Sequence, residues 1–189
     1  MRIQLAQRSE ADELLGRSPL ALLVGMLLDQ QIPMEWAFTG PYTISQRLGR
    51  DLTAEEIASY DPEAFVALLA DKPAVHRYPK SMAARVQQLA AHLVEHYDGR
   101  PERIWNDAAD GQELLKRLRA LPGYGEQKAQ IFLALLGKQL GVQPSGWREA
   151  AGAYGEEGSH RSVADVVDGD SLARVREAKQ EAKRTAKAQ

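Results

Sequence analysis

The chain has 189 residues, of which 44% are hydrophobic and only 6% are aromatic. This length and apolar content are enough for one helical domain with a sizeable core, or for two small helical lobes. Because the chain has no cysteine, disulfides, cysteine-held iron–sulfur clusters and cysteine-based zinc sites are excluded. A net charge of −2 argues against a dominant non-specific nucleic-acid binder, although a local basic patch is still compatible with it.

The first third of the chain predicts a buried helix between two shorter ones. Ser18 is suited to cap a helix and Pro19 to occupy its first turn. Residues 20–28 are almost wholly apolar, which predicts a helix buried on all sides. After it, a short helix is expected to begin near Pro33 and to stop at Gly40-Pro41.

The middle of the chain continues with helical patterns. Capping boxes at Thr53 and Asp110 each predict a helix start, and residues 82–97 form a long amphipathic pattern between them. No segment up to residue 140 alternates convincingly as a strand, and no repeat period appears. The predicted fold class is therefore all-α.

The buried helix ends in three polar residues, Asp29, Gln30 and Gln31. One interpretation is that the helix simply leaves the core there and becomes polar. The other is that the fold places a carboxylate and two amides deliberately, since glutamine can bond base edges or fill the gap left by a displaced base. The residues alone do not separate the two.

A loop with two glycines, Gly123 and Gly125, lies between two helical runs. Glycine allows a close approach by another molecule, and a helix that starts after such a loop points free N–H groups outward, where an anion can bind. The pattern thus indicates a grip on a phosphate backbone. The alternative is an ordinary helical hairpin that uses glycine only to turn the chain, as in a protein-interaction domain.

The string Leu-Pro-Gly-Tyr-Gly-Glu-Gln-Lys-Ala over residues 121–129, together with the upstream Asp-Gln-Gln helix end, resembles the helix-hairpin-helix/Gly-Pro-Asp (HhH-GPD) superfamily of DNA glycosylases, which includes endonuclease III and 3-methyladenine glycosylases. The resemblance spans about residues 18–150. It implies a two-lobed all-α fold that flips a damaged base out of duplex DNA.

The resemblance also implies roles for particular residues. The loop of Gly123, Tyr124 and Gly125 would present backbone N–H groups to one DNA phosphate, with a monovalent cation possible at the hairpin. Lys128 would add positive charge at that phosphate. The segment that carries Gln30 and Gln31 would enter the DNA near the target base.

Two positions depart from the family pattern. Relatives with lyase activity carry a lysine two residues after the second hairpin glycine, where this chain has Gln127. Lys128 is one residue further, rotated by about 100° around a helix, so we do not expect it to reach the same point. The essential aspartate of the family falls at Ser145, whose neutral hydroxyl cannot stabilise positive charge on the sugar.

These departures leave three explanations. The carboxylate can come from elsewhere, with Asp29 and Asp165 as the catalytic candidates and Glu35 as a further one. The protein can bind damaged or unusual DNA without cutting it. Or the loop alignment that puts Ser145 at the aspartate position is shifted. If the protein is active, the expected reaction is monofunctional hydrolysis of the N-glycosidic bond.

The C-terminal part predicts a glycine-rich loop over residues 152–160 and a last helix that Asp170 caps and that ends near Ala188. This helix is rich in arginine and lysine. It is either a solvated terminal helix or a basic arm that lies on the DNA backbone. We divide the chain into a glycosylase-like helical domain, 1–160, with its hairpin at 119–129, and a C-terminal segment, 161–189.

The remaining expectations concern surroundings and cofactors. No apolar run reaches membrane-spanning length, and the N-terminus has no signal-peptide core, so a cytoplasmic protein is expected, nucleoid-associated in a prokaryote. The four histidines show no paired ligand spacing, and no metal or cofactor site is predicted. The expected partner is duplex DNA with a damaged or flipped base, bound by a monomer. The lesion itself is not predictable from the sequence.

Overall fold

A computed structural model describes residues 2–189. Over this range the regular structure is helical and no strand forms, which confirms the all-α prediction. The eleven α-helices of the described residues are α1 (Ser9–Arg17), α2 (Pro19–Leu28), α3 (Met34–Leu48), α4 (Ala54–Ser59), α5 (Pro62–Ala70), α6 (Pro79–Tyr97), α7 (Arg103–Asn106), α8 (Gly111–Arg119), α9 (Glu126–Gln139), α10 (Trp147–Ala150) and α11 (Gly169–Ala188).

Helix α2 is the buried helix that the sequence predicts. The Ser18 side chain accepts a hydrogen bond from the Ala21 N–H at 3.1 Å, and Pro19 occupies the first turn. Every residue from Leu20 to Leu28 is buried. With no polar position to interrupt it, this helix packs on all sides and ends only at Asp29.

The predicted stop at Gly40-Pro41 is wrong, because α3 runs through both residues without a break. Both are buried, and a Cβ added to Gly40 would lie 2.6 Å from the Leu28 side chain. The close packing of α3 against α2 therefore holds a helical backbone at a proline, although the proline cannot donate to the carbonyl one turn earlier.

The C-terminal third also differs from expectation in detail. The loop after residue 150 contains a 3-10 turn, Gly152–Gly155, and a second 3-10 turn spans Val163–Asp165. The last helix is capped by Asp168, not Asp170, because the Asp168 side chain accepts from the Ser171 N–H at 2.7 Å. None of the helices in residues 2–189 is long and apolar enough to cross a membrane.

The helices pack in sequential groups around one continuous core. Helices α1, α2 and α3 contact one another, α4 and α5 pack on α6, and α8, α9 and α10 pack together with the two 3-10 turns. The loop between α8 and α9 is the predicted hairpin, and it packs against the C-terminal half of α2. The hydroxyl of Tyr124 in this loop donates to the Leu23 carbonyl at 2.7 Å. The fold thus brings the hairpin and the polar end of α2 together.

Candidate nucleic-acid interface and active site

The two hairpin glycines have different local requirements. Gly123 has a φ of +84°, and a Cβ at this position would lie 2.8 Å from the Leu27 side chain. Both the backbone and the packing on α2 therefore require glycine there. Gly125 has a φ of −81°, and no atom lies within 4 Å of an added Cβ. The fold leaves the position next to Gly125 free for a close approach by a ligand.

The hairpin loop offers unpaired backbone groups. The N–H groups of Gly123 and Gly125 make no hydrogen bond within residues 2–189. Helix α9 begins directly after Gly125, and the N–H groups of its first turn have no partner inside the helix. The carbonyl oxygens of Pro122 and Gly123 likewise accept no hydrogen bond from the described residues. The N–H groups fit an anion, and the carbonyls fit the monovalent cation that the resemblance implies.

Tyr124 offers neither its backbone N–H nor its side chain to a ligand. The N–H donates to the Leu121 carbonyl at 3.1 Å, so of the three loop residues only Gly123 and Gly125 have free N–H groups in the described chain. Its side chain is buried, with the hydroxyl on the Leu23 carbonyl and the ring edge-on to Phe132, at 6.0 Å between centroids. Burial raises the pKa of this hydroxyl well above its usual range. The tyrosine side chain therefore holds the hairpin on α2 and does not face a ligand.

Lys128 points to the C-terminal end of α2. Its ammonium group donates to the Met26 carbonyl at 2.6 Å, and the carbonyls of Leu27 and Asp29 lie at 3.5 and 3.4 Å. Met26 and Leu27 lie in the last turn of α2 and Asp29 follows it, and a positive charge there complements the negative end of the helix dipole. Lys128 thus ties the hairpin helix to the end of α2, instead of facing outward at a phosphate.

An open cavity of about 600 Å³ lies where these elements meet, and we call it the hairpin cavity. Its polar lining residues are Asp29, Gln127, Lys128, Gln130, Tyr154, Arg161, Lys179 and Lys183. Gln127 donates to the Tyr154 hydroxyl at 2.9 Å. Gln127, which aligns with the lyase lysine of the family, and Lys128 both line this cavity. The rotation of about 100° between neighbouring helix positions did not predict this.

The carboxylate of Asp29 has no hydrogen-bond partner among residues 2–189. Burial raises the pKa of this carboxyl, and the nearby Glu35 raises it further, while Lys179 and Lys128 oppose the change. Burial likewise lowers the pKa of Lys128 to about 8, against the attraction of Asp29. The hairpin cavity thus contains a carboxylate and an amine whose proton affinities the protein has changed, which is a common property of reactive sites.

Asp165 lies elsewhere and is fully engaged. Its carboxylate pairs with the Lys138 ammonium at 2.7 Å and accepts from the Ser159 hydroxyl at 3.1 Å. It also accepts from the Arg161 N–H at 2.8 Å, and its side chain is only 5% exposed. Asp165 does not line the hairpin cavity. The structure therefore does not bring the two catalytic candidates together.

Ser145 and Glu35, the other two positions considered for the catalytic carboxylate, both lie outside the hairpin cavity. Ser145 does not line the cavity, and its carbonyl accepts from the Gly111 N–H at 2.8 Å at the start of α8. Glu35 pairs with Arg176 of α11, and its second carboxylate oxygen is buried without a partner. Glu35 is thus close enough to influence Asp29 but is itself held by α11.

The side chains of the two glutamines that follow α2 differ in their hydrogen bonds and exposure. The Gln30 amide donates to the Leu27 carbonyl at 2.8 Å, and its oxygen accepts from Arg85 at 2.9 Å. Gln31 is exposed and has a φ of +63°, unusual for a residue with a side chain. The structure therefore holds Gln30 in place and leaves Gln31 facing solvent.

Sequence reasoning missed the contribution of α11 to the cavity. Ala178, Lys179, Ala182 and Lys183 line its wall, although the second half of α11 is otherwise exposed. The basic composition of this helix was a signal for an anionic partner, but nothing local showed which surface it would cover.

The histidines also need a correction. His92 and His96 are one helical turn apart on α6, with ring centroids separated by 4.4 Å, so a paired spacing does exist. Across residues 2–189, however, no group of three or more histidine, aspartate or glutamate side chains could hold a metal ion.

Comparison with known protein families shows which family the chain matches. Residues 24–188 match the family described as the HhH-GPD superfamily base excision DNA repair protein. This range includes the end of α2, the hairpin and all of α11. No curated protein and no solved structure matched the chain significantly.

Proposed function

Because the chain belongs to the HhH-GPD superfamily of base excision DNA repair proteins, we propose that it binds duplex DNA through its hairpin loop and hydrolyses the N-glycosidic bond of a damaged base. The observation that carries this proposal is the unpaired carboxylate of Asp29 in the hairpin cavity. We expect a nucleotide flipped out of the duplex to enter this cavity, so that Asp29 would lie next to it.

The DNA backbone would be held at the hairpin. The free N–H groups of Gly123 and Gly125 and the first turn of α9 suit one phosphate, and the open space at Gly125 permits its approach. Gln31 would enter the duplex, because it is the exposed residue of the turn that follows α2. Basic residues of α11 would add charge along the backbone and offset the acidic average of the chain.

The chemistry would centre on Asp29. As the bond between base and sugar breaks, the base leaves with the electron pair and positive charge develops on the sugar. An ionised Asp29 stabilises that charge and accepts a proton from the water that attacks the sugar carbon. Lys179 and Lys128 keep positive charge near Asp29 and so favour its ionised form, against the effect of burial.

We further propose that the reaction stops at base removal. Gln127 occupies the lyase position and cannot form a Schiff base. The Lys128 amine is directed at the Met26 carbonyl and acts in this arrangement as a positive charge and a helix cap. The expected product is an intact strand with an abasic site.

The test is a set of duplexes that each carry one lesion: uracil, hypoxanthine, an alkylpurine, thymine glycol or 8-oxoguanine. The protein is added in excess, and strand breaks are measured with and without hot alkali. Breaks that appear only after alkali support monofunctional hydrolysis. Breaks without alkali would show lyase activity instead, and the absence of any abasic product would refute the enzyme proposal for these lesions.

A second candidate is damage recognition without cleavage. The observation in its favour is Ser145, since the family's aspartate position has no carboxylate and lies outside the cavity. This candidate predicts tighter binding to a lesion duplex than to a matched undamaged duplex, with no product at any enzyme excess. Fluorescence anisotropy with the same oligonucleotides separates the two candidates.

A further inference from the structure

His76 is a completely buried polar residue in the loop between α5 and α6. Its ring is stacked with that of Trp36 at 6.4 Å between centroids, and the Tyr78 ring lies at 6.0 Å. A buried imidazole needs partners for both nitrogens, because an unpaired one would lose its bonds to water.

Both nitrogens have partners, and these fix the protonation of the ring. Nε2 lies 2.9 Å from the Gln30 carbonyl, and Nδ1 lies 3.0 Å from the Tyr78 backbone nitrogen. A carbonyl can only accept, so Nε2 carries the proton. The Tyr78 N–H can only donate, so Nδ1 carries none. Only this neutral tautomer satisfies both contacts.

The Gln30 contact links His76 to the turn that follows α2. Gln30 is held at four points: its backbone N–H by the Leu28 carbonyl, its backbone carbonyl by His76, its side-chain N–H by the Leu27 carbonyl, and its side-chain oxygen by Arg85. The next residue, Gln31, has the left-handed backbone and the exposed side chain. Fixing Gln30 in this way determines the direction in which Gln31 leaves the turn.

We propose that His76 is a positioning residue that holds the Gln30–Gln31 turn, so that Gln31 is the side chain presented to the duplex. This inference rests on the proposed DNA binding, but it concerns residues outside the hairpin cavity. It assigns different tasks to two neighbouring glutamines that the sequence treats alike.

Proton binding would release this hold. A proton on Nδ1 would point at the Tyr78 N–H, and two donors would then face each other. Burial lowers the pKa of His76 from its ordinary 6.5, the Gln30 carbonyl opposes this, and the positive Arg77 and Arg85 lower the pKa further. The other rings that face His76 are those of Trp36 and Tyr78. The stabilising contact is therefore complete above the ordinary pKa and is lost as the pH falls through the lowered one.

Two substitutions separate the two hydrogen bonds. In His76→Gln the side-chain amide can reach the Gln30 carbonyl but leaves the Tyr78 N–H unpaired. In His76→Asn the shorter amide can accept from Tyr78 but cannot reach Gln30. We expect His76→Asn to weaken binding to a lesion duplex by about tenfold, the effect of one lost hydrogen bond, and His76→Gln to bind nearly as the unaltered chain does.

Combination with Gln31→Ala tests positioning directly. Gln31→Ala should weaken binding in the unaltered chain and in His76→Gln, but should have little further effect in His76→Asn. Binding by the unaltered chain should also fall as the pH drops below the ordinary 6.5 and through the lowered pKa of His76, and this fall should be absent in His76→Gln. His92→Asn, at the half-buried histidine of α6, is the matched control and should keep the fall in binding. Equal effects of Gln31→Ala in all backgrounds would overturn the proposal.

A measurement without DNA keeps this proposal separate from the proposed function. Hydrogen exchange in peptides that cover residues 29–33 should be faster in His76→Asn than in the unaltered chain and in His76→Gln. Unchanged exchange in His76→Asn would refute positioning even if the chain binds DNA. Faster exchange together with no binding to any duplex would support the hold on the turn and refute the proposed function instead.

Discussion

The two ends of α9 carry similar residues in different surroundings. Near its start, Lys128 lies beside Asp29, whose carboxylate has no hydrogen-bond partner in the described chain. Near its end, Lys138 pairs with Asp165 at 2.7 Å, and the two side chains are only 13% and 5% exposed. The pair at the end is closed, while the pair at the start opens on a cavity.

The glycines near the two ends of α9 also differ, since one is closely packed and the other is open. A Cβ on Gly137 would lie 2.3 Å from the Trp147 ring, so this position is closely packed. Gly125 has no atom within 4 Å of an added Cβ. We infer that the end of α9 is organised for stability and the start for a ligand. The Asp165 carboxylate is paired with Lys138 and does not line the hairpin cavity, which is why we favour Asp29 over Asp165.

The largest expected effect is on base release. Asp29→Asn should lower the single-turnover rate on a duplex substrate by about 100-fold or more, because an amide cannot stabilise positive charge on the sugar. Asp165→Asn, compared per folded molecule, should stay within a few-fold of the unaltered chain. Equal losses in the two variants, with the folded fraction measured by circular dichroism, would remove the functional distinction between the two ends.

The next effect is on stability and should have the opposite order. Lys138→Met leaves Asp165 buried without its ion partner and should lower the free energy of unfolding by about 3 kcal/mol. Lys128→Met loses carbonyl contacts but also removes a partly buried charge, so a cost of about 1 kcal/mol is expected. Urea unfolding measures both. A larger loss for Lys128→Met would show that the start of α9 is the structural end.

The glycines give a third test. Gly137→Ala should destabilise the chain by about 2 kcal/mol, because the Trp147 ring must move in a packed region. Gly125→Ala should change stability by less than about 0.5 kcal/mol. The same alanine should weaken duplex binding by several-fold, since it occupies the space beside the free N–H groups. Unaltered DNA affinity in Gly125→Ala would argue against a phosphate at this loop.

The proton affinity of Lys128 gives a fourth, spectroscopic test. NMR with labelled lysine should show a side chain with a pKa of about 8. Asp29→Asn should lower this pKa further, because it removes the attraction of the carboxylate. Between the folded pKa and the ordinary 10.5, the unfolded chain binds more protons at this residue, so its contribution makes stability rise with pH. A signal that does not respond to Asp29→Asn would disprove the coupling.

The smallest expected effect concerns α11, which forms one wall of the hairpin cavity at the start of α9. Removal of residues 177–189 deletes Lys179 and Lys183 from the cavity wall. If these residues contact phosphates, the slope of log affinity against log salt should decrease by about 1–2. An unchanged slope would show that the second half of α11 is a solvated helix only.

Local patterns predicted the elements well where short-range effects dominate. The cap and apolar run of α2, the capping boxes and the hairpin loop all depend on neighbours in sequence. The predicted stop at Gly40-Pro41 failed because Gly40 packs against Leu28 of another helix, and that contact has no local signal.

The sequence could not rank the carboxylates for the same reason. Asp29 and Asp165 differ only in their long-range partners. Lys128 contacts carbonyls at the end of α2, about a hundred positions earlier in the sequence. Asp165 contacts Lys138, which lies 27 positions earlier, before α10 and the first 3-10 turn. The rotation between neighbouring helix positions predicted that the Lys128 and Gln127 side chains point in different directions, and they do have different partners. It could not show that both side chains line the same cavity.

The position of α11 in the wall of the hairpin cavity has a practical consequence for how the protein is prepared. Lys183 lines the cavity, and Gln189 follows it by only about two helical turns, or roughly 9 Å of helix. An affinity tag fused after Gln189 would therefore begin close to the opening of the cavity, where the proposed flipped nucleotide would enter. A polyhistidine or acidic tag there would change the local charge as well. DNA-binding measurements are therefore better made with an N-terminal tag, or after a C-terminal tag has been cleaved off.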